Sequence, residues 1–202
     1  MASSPWSPPR GLPKLGDISC SRIYRQVGWA LTQWEELEFW LSLLFVDIYP
    51  KVGNPPEFDY GRLPNYSKLT RFDLRSDCLE KEFARLQCDQ SNESRLGDIM
   101  NRARLLSQRR NDIAHGAVRH IGQYGGGYQV GVSPPTQFTS ANFGFFLVPI
   151  SDLARRMLPT LTKEFLVYTS EEIRDYGEHF SRLVPDVRMF MYDVFGISFG
   201  PP

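Results

Sequence analysis

The segment from Leu96 to Gly116, LGDIMNRARLLSQRRNDIAHG, decides the predicted fold. Its apolar residues recur three, four and seven positions apart, which is the spacing of one face of an amphipathic helix. Gly116 is a natural helix C-cap, because glycine adopts the left-handed backbone conformation without strain. Beyond Gly116 the apolar period changes, so a β region is expected there. The apolar positions are Leu96, Ile99, Met100, Ala103, Leu106, Ile113 and Ala114.

Two more helices are predicted upstream. The first starts after Asp17 or Ser19, either of which is a plausible N-cap, and ends at Tyr49-Pro50, where a cluster of helix breakers begins. The second covers about residues 67–86, and residues 91–94 separate it from the third helix. The apolar positions of the first helix are Ile23, Val27, Ala30, Leu31, Trp34, Leu37, Leu41, Leu44, Phe45 and Ile48.

The chain after Gly116 predicts a small β region followed by more helix. Apolar residues flank the three glycines at 125–127, which indicates a β-hairpin, although an irregular loop fits the same residues. Residues 143–150, FGFFLVPI, predict a further strand. A helix then opens at Ser151 and runs towards Val167, with a bend at Pro159. A last helix is capped by residues 169–172 and ends before Pro185 or continues towards Phe195.

These elements predict a mainly α fold of four to five helices with a small β-hairpin insert after the third. The length of 202 residues suits one domain. We expect a flexible Pro-rich tail at residues 1–17, a helical domain at 18–196 with its β insert at about 117–150, and a C-terminal tail at 197–202.

The charge composition limits how this protein can bind nucleic acid. Lys and Arg total 23 and Asp and Glu total 23, so a globally basic surface is excluded and a local basic site is required. The three cysteines form no CxxC pair and cannot all be joined in disulfides, which suits a protein of the reducing cytoplasm. Residues 39–49 form the most apolar run and are too short to cross a bilayer, so we expect a cytoplasmic protein without a membrane partner.

The chain lacks the signatures of most enzyme classes. Three histidines without a Cys/His cluster make a zinc site improbable, and the glycines at 125–127 are not part of a phosphate-binding loop. We therefore expect no metal and no cofactor. His-centred acid–base chemistry with Arg as the charge stabiliser remains.

Residues 109–116, RRNDIAHG, concentrate those residue types. Arg110 falls within the apolar face of its helix, where a cation requires a buried carboxylate or an anionic ligand. His115 lies about 140° away on a regular helix, so Arg and His can meet if the helix end at Gly116 frees His115 from the helical direction or if a two-fold axis brings in a second copy. An ion-paired Arg and a capping His are the structural alternatives. A second Arg-to-His pair, Arg174 and His179, falls on opposite flanks of the last helix and is expected to be ordinary surface.

The segment 110–116 resembles the hallmark of the HEPN superfamily of helical nucleotide-binding and ribonuclease domains. That hallmark is an Arg, commonly followed by Asn, Asp or His, with a His four to six residues later at the end of a helix. The order of predicted elements is also similar over about residues 19–184, and the resemblance implies that the four to five helices form an up-and-down bundle. The Pro-rich start of the chain and residues 125–142 depart from the family pattern.

The resemblance implies a metal-independent endoribonuclease that acts as a homodimer. His115 would be the general base or acid, Arg110 would stabilise charge on the scissile phosphate, and Asn111 would position Arg110 or the phosphate. Asp112 is taken as structural. A toxin or defence effector, restrained by an antitoxin protein, is compatible with this family. The expected RNA-binding residues are Arg102, Arg104, Arg109 and Arg119.

Two other functions are compatible with the same residues. One is a non-catalytic HEPN-like helical dimer that binds RNA or a protein, since a fold does not determine an activity. The other is a helical scaffold in which Trp29, Trp34 and Trp40 mark a protein interface instead of a core.

Overall fold

A computed structural model describes residues 15–52, 66–124, 127–131, 144–149, 160–161 and 166–197 of the chain. Within these ranges the protein is mainly helical and carries a β-hairpin after its third helix, which confirms the predicted fold class. The helices are α1 (Cys20–Val52), α2 (Phe72–Ala84), α3 (Gln90–Ala114) and α4 (Ser170–Phe195), and the strands are β1 (Gly116–Tyr124), β2 (Gly127–Gly131), β3 (Gly144–Pro149) and β4 (Thr160–Leu161).

The chain divides into two compact units. The first unit comprises residues 1–33 and 108–179, and the second comprises residues 34–107 and 180–202. The first unit holds the antiparallel sheet, whose strand order is β3-β1-β2-β4. Tyr124 pairs with Gly127, so only two residues connect β1 to β2, as in a tight hairpin.

The core of the second unit is built on aromatic side chains. The indole ring of Trp34, 1% exposed, meets the rings of Phe72 and Phe180 edge to face at centroid distances of 4.9 and 5.2 Å. Phe83 packs against Phe190 at 5.4 Å. The proposal that Trp34 marks a protein interface is therefore wrong, because the side chain fills the core.

Several helix ends differ from the expected positions. Helix α1 continues past Pro50 to Val52, since a proline close to a C-terminus disrupts few helical hydrogen bonds. Helix α3 begins at Gln90 because Asp89 caps it, with Oδ1 accepting the N–H of Asn92 at 2.9 Å. Residues 91–94 therefore form the first turn of α3 and do not interrupt the chain.

The predicted helix between residues 151 and 167 is wrong at Thr160 and Leu161. These two residues form β4 and pair with Gln129 and Tyr128 of β2. The unpaired edge of β2 offers hydrogen-bonding groups to a neighbouring segment, and this long-range pairing overrides the local helical pattern. Residues 151–159 and 162–165 lie outside the described ranges.

Gly116 ends helix α3 for a different reason from the one expected. It is not in a left-handed conformation; the glycines with positive φ among the described residues are Gly144 and Gly196. A Cβ atom on Gly116 would lie 2.6 Å from Cγ of Leu147, so only glycine fits between the helix end and β3. Gly116 is thus the first residue of β1 and a point of close packing.

Helix α4 has the predicted capping box and continues through Pro185. Glu172 Oε2 accepts the N–H of Thr169 at 2.8 Å, and Thr169 Oγ1 accepts the N–H of Glu172 at 3.3 Å. The helix continues to Phe195, and Gly196 ends it with φ +70°. None of the described helices is long and apolar enough to cross a membrane.

Candidate functional site

The segment singled out by the sequence forms the C-terminal end of α3. Arg110 and Asn111 belong to its last turns, and His115 is the first residue beyond it. The backbone N–H of His115 donates to the carbonyl oxygen of Asn111 at 3.0 Å, so the chain keeps its helical path up to this residue. The side chains of Asn111 and His115 are exposed, and that of Arg110 is half-buried.

Arg110 and Asn111 are in direct contact. Nη1 of Arg110 donates to Oδ1 of Asn111 at 3.3 Å. The role of Asn111 in positioning Arg110 or the phosphate stays a prediction. The three predicted catalytic residues therefore lie at one helix end, with the histidine accessible and the guanidinium partly shielded.

A cluster of three side chains lies directly beside this helix end. Asp112 Oδ2 forms an ion pair with Nη1 of Arg109 at 3.0 Å and accepts a hydrogen bond from the hydroxyl of Tyr168 at 2.6 Å. Nη1 of Arg109 also donates to the Tyr168 hydroxyl oxygen at 3.1 Å. We call Arg109, Asp112 and Tyr168 the Asp112 cluster. Its members are largely buried, with Tyr168 fully so and the side chains of Arg109 and Asp112 only 14% and 21% exposed.

Burial and the adjacent Asp112 carboxylate raise the pKa of Tyr168 above its ordinary value, so the hydroxyl stays protonated and remains a donor. The backbone of Tyr168 exchanges two hydrogen bonds of 2.9 Å with Leu147 of β3, and Leu147 packs on Gly116. The end of α3 is consequently fixed to β3 through the Asp112 cluster and through the Gly116 contact.

Asp112 has a larger role than the sequence indicated, and Tyr168 was not singled out at all. The spacing of Arg109 and Asp112, three residues apart on one helix, is a signal for an ion pair that the sequence does contain. Tyr168 lies 56 residues beyond Asp112, and nothing local connects them. Its place in the cluster depends on the pairing of its backbone with β3.

Three of the four expected RNA-binding arginines are matched by carboxylates. Arg102 pairs with Asp186 at 2.7 Å, and Arg104 pairs with Glu80 at 2.5 Å and with Asp77 at 2.8 Å. Arg109 belongs to the Asp112 cluster. The fourth, Arg119, donates to the Val118 carbonyl at 3.1 Å. The positive field of the first three is therefore reduced, and binding of RNA phosphate to them would compete with these ion pairs.

The second Arg-to-His pair has the surroundings expected of a surface. Arg174 is 48% exposed and lies 3.6 Å from Glu171, 3.3 Å from Asp175 and 3.7 Å from Glu178, all on its own helix. His179 is half-buried. This network accounts for Arg174 without any ligand.

The remaining histidine is a core residue of the first unit. His120 on β1 is 3% exposed and meets the ring of Phe145 at a centroid distance of 5.3 Å. Burial lowers the pKa of His120 below its ordinary value.

The described residues contain no group of three His, Cys, Asp or Glu side chains placed to hold a metal ion. None of the three cysteines, all of which lie within the described residues, forms a disulfide, and each is half-buried. No protein-family model, curated protein or solved structure matches this chain.

Proposed function

We propose that this protein is a HEPN-like endoribonuclease that cleaves RNA without a metal ion, acting as a homodimer in the cytoplasm. The ribose 2′-OH attacks the adjacent phosphorus, and the leaving group is the 5′ oxygen of the next nucleotide. His115 takes the proton of the 2′-OH or supplies one to the 5′ oxygen. Arg110 stabilises the negative charge on the phosphate, and Asn111 orients Arg110.

One observation carries this proposal: an exposed histidine stands at a helix end whose backbone is held in place. His115 keeps its helical hydrogen bond to Asn111, and Gly116 is packed against Leu147. A general acid or base must be reachable by substrate, and the side chain of His115 is exposed on a backbone that these two contacts hold in place. The Arg110–Asn111 contact supplies an oriented cation in the same segment.

The angular separation of the two residues supports a homodimer. Residues five positions apart point about 140° away from each other on a regular helix. The backbone at His115 still follows the helix, so Arg110 and His115 of one copy diverge. A two-fold axis at this helix end would place the histidine of one copy near the arginine of the other.

The decisive experiment incubates the purified protein with end-labelled RNA in EDTA and identifies the product ends. We expect cleavage with 2′,3′-cyclic phosphate ends from the wild type and from the control His179→Ala. Arg110→Ala and His115→Ala should lose cleavage by roughly 10²–10⁴-fold while keeping the far-ultraviolet circular dichroism of the wild type. Equal cleavage by all four proteins would contradict the assignment.

The second candidate function is a non-catalytic HEPN-like dimer that binds RNA or a protein partner. The carboxylates paired with Arg102, Arg104 and Arg109 favour the form of this function that binds a protein partner, because they leave fewer cations for RNA phosphate. A wild-type protein that forms dimers and retains RNA on a gel without cutting it would select this function.

A role as a toxin or defence effector, restrained by an antitoxin protein, belongs to the first proposal. Expression of the wild type in a bacterial host should then slow growth, and His115→Ala should not. Equal growth of the host with both proteins would contradict the toxin role and leave the ribonuclease proposal to the cleavage experiment.

A further inference from the structure

The first unit contains a cavity of about 430 Å³ beside the first turns of α1 and α4. Arg22, Arg25 and Gln26 contribute from α1, and Ser170 and Arg174 contribute from α4. Neither Arg110 nor His115 lines it. The guanidinium group of Arg174 lies among three carboxylates of its own helix, so the guanidinium groups of Arg22 and Arg25 are the ones that favour an anionic ligand.

The two arginines of α1 occupy an electrostatically unfavourable position. The first turn of α1 holds no acidic residue, and Arg22 places an exposed cation there, where the helix dipole is already positive; Arg25, also exposed, lies in the next turn. They are three residues apart and so repel each other on the same helix face. Across the residues that the structure describes, no carboxylate forms an ion pair with either guanidinium. The repulsion between these two guanidinium groups destabilises the free protein, and a bound anion would relieve it.

The carboxylates in the cavity wall are engaged elsewhere. Asp17 is 9% exposed and accepts the backbone N–H of Ser170 at 2.7 Å as well as its hydroxyl. Glu171 lies 3.6 Å from the guanidinium of Arg174. Asp17 thus caps the start of α4, and Glu171 offsets the charge of Arg174. The charges of Arg22 and Arg25 remain for a ligand.

We propose that this cavity binds a phosphomonoester dianion through Arg22 and Arg25. The guanidinium group donates two parallel hydrogen bonds to phosphate, and a helix N-terminus adds to the attraction. The volume is within the range of small-ligand pockets, roughly 300–1,000 Å³. The amide of Gln26 provides a neutral donor and acceptor beside the phosphate.

Two sources can supply this group: a small free phosphomonoester or the 5′-phosphate of an RNA. Binding of phosphate at Arg22 and Arg25 does not require the ribonuclease activity proposed above. Failure of one proposal therefore leaves the other standing.

The test measures binding by isothermal titration calorimetry to protein that carries His115→Ala, so that RNA probes stay intact. The probes are inorganic phosphate, AMP, adenosine, and one trinucleotide prepared with either a 5′-phosphate or a 5′-hydroxyl. We expect phosphate and AMP to bind and adenosine not to bind. Tighter binding of the 5′-phosphorylated trinucleotide than of AMP would identify an RNA end, and equal binding would identify a small phosphomonoester.

The variants assign the binding to the cavity. Arg22→Gln with Arg25→Gln should weaken AMP binding about tenfold or more, since hydrogen bonds between charged groups are lost. The matched control, Lys68→Gln with Arg85→Gln, makes the same change in net charge in the second unit and should bind as before. Arg22→Lys with Arg25→Lys keeps the charge but loses the planar guanidinium groups. Its affinity for AMP should lie between that of the Gln double variant and that of the control.

Unchanged AMP binding in the Gln double variant would overturn the proposal, as would binding of AMP no tighter than adenosine. The melting temperature of each variant without ligand shows that it is folded.

Discussion

Asp17 caps helix α4 through Ser170, a residue 153 positions further along the chain. Asp17 Oδ2 accepts the N–H of Ser170 at 2.7 Å, and Oδ1 accepts its hydroxyl hydrogen bond. The backbone of Asp17 also exchanges hydrogen bonds of 2.9 and 2.8 Å with Phe145 of β3. Asp17 is therefore part of the folded unit and not of a flexible tail.

Asp17→Ala should lower the free energy of unfolding by about 1–3 kcal/mol, because it leaves the start of α4 without two buried hydrogen bonds. Urea denaturation followed by circular dichroism measures the change. Asp89→Ala is the matched control, because Asp89 caps α3 only through Asn92 at an exposed site. If the free energy of unfolding falls no more for Asp17→Ala than for Asp89→Ala, the long-range cap stabilises the protein no more than the exposed local cap does.

Tyr168→Phe should destabilise the protein by about 1–3 kcal/mol, because the half-buried carboxylate of Asp112 loses its hydroxyl donor. If the Asp112 cluster positions the end of α3, kcat for RNA cleavage should fall more than KM changes. Tyr66→Phe is the control, since the ring of Tyr66 stacks on Phe45 and the substitution keeps that ring. Full activity and stability of Tyr168→Phe would rule out a positioning role.

The free energy of unfolding should decrease as the pH falls from 7.5 to 5. Burial lowers the pKa of His120, so below about pH 6.5 the unfolded chain takes up a proton that the folded state does not. The change is at most about 1.4 kcal/mol per pH unit for this one group. His120→Gln should reduce the slope. Identical slopes for the wild type and His120→Gln would contradict this.

Arg22→Gln should stabilise the ligand-free protein by roughly 0.3–1 kcal/mol at low ionic strength, because it removes a cation from the positive end of α1. The gain should shrink at high salt. Denaturation at two salt concentrations measures it. A destabilised Arg22→Gln variant would mean that the arginine is held by interactions of the free protein and is not kept for a ligand.

Arg104→Ala and Arg110→Ala should have opposite consequences. Arg104 forms ion pairs with Glu80 and Asp77, so its removal should cost stability, roughly 0.5–1 kcal/mol after screening by solvent, and little RNA affinity. Arg110→Ala should weaken RNA binding more than Arg104→Ala does. Filter binding at one salt concentration, beside urea denaturation, distinguishes the two effects.

The helices were predictable because their signals are local. A residue on a helix contacts neighbours three and four positions away, so the apolar spacing in α1, α3 and α4 already marks the buried face. All five apolar residues expected on the last helix are buried: Ile173, Tyr176, Phe180, Leu183 and Val184. The capping box at residues 169–172 is likewise a contact across three positions.

The β region was only partly predictable. The glycines at 125–127 and the apolar run at 143–150 marked the hairpin and β3, but β4 depends on the free edge of β2. A strand gains its hydrogen bonds from a partner elsewhere in the chain, so a short segment such as 160–161 has no local signature.

The candidate site shows the same division. The sequence by itself determined the helix faces, the Thr169–Glu172 cap and the grouping of Arg110, Asn111 and His115 at one helix end, since these follow from spacing along a helix. Only the tertiary structure decided that Asp17 caps α4, that Tyr168 binds Asp112 and that Arg102 and Arg104 face carboxylates. Those contacts join residues that packing brings together over distances of 24 to 153 positions, and no pattern in the intervening chain encodes them.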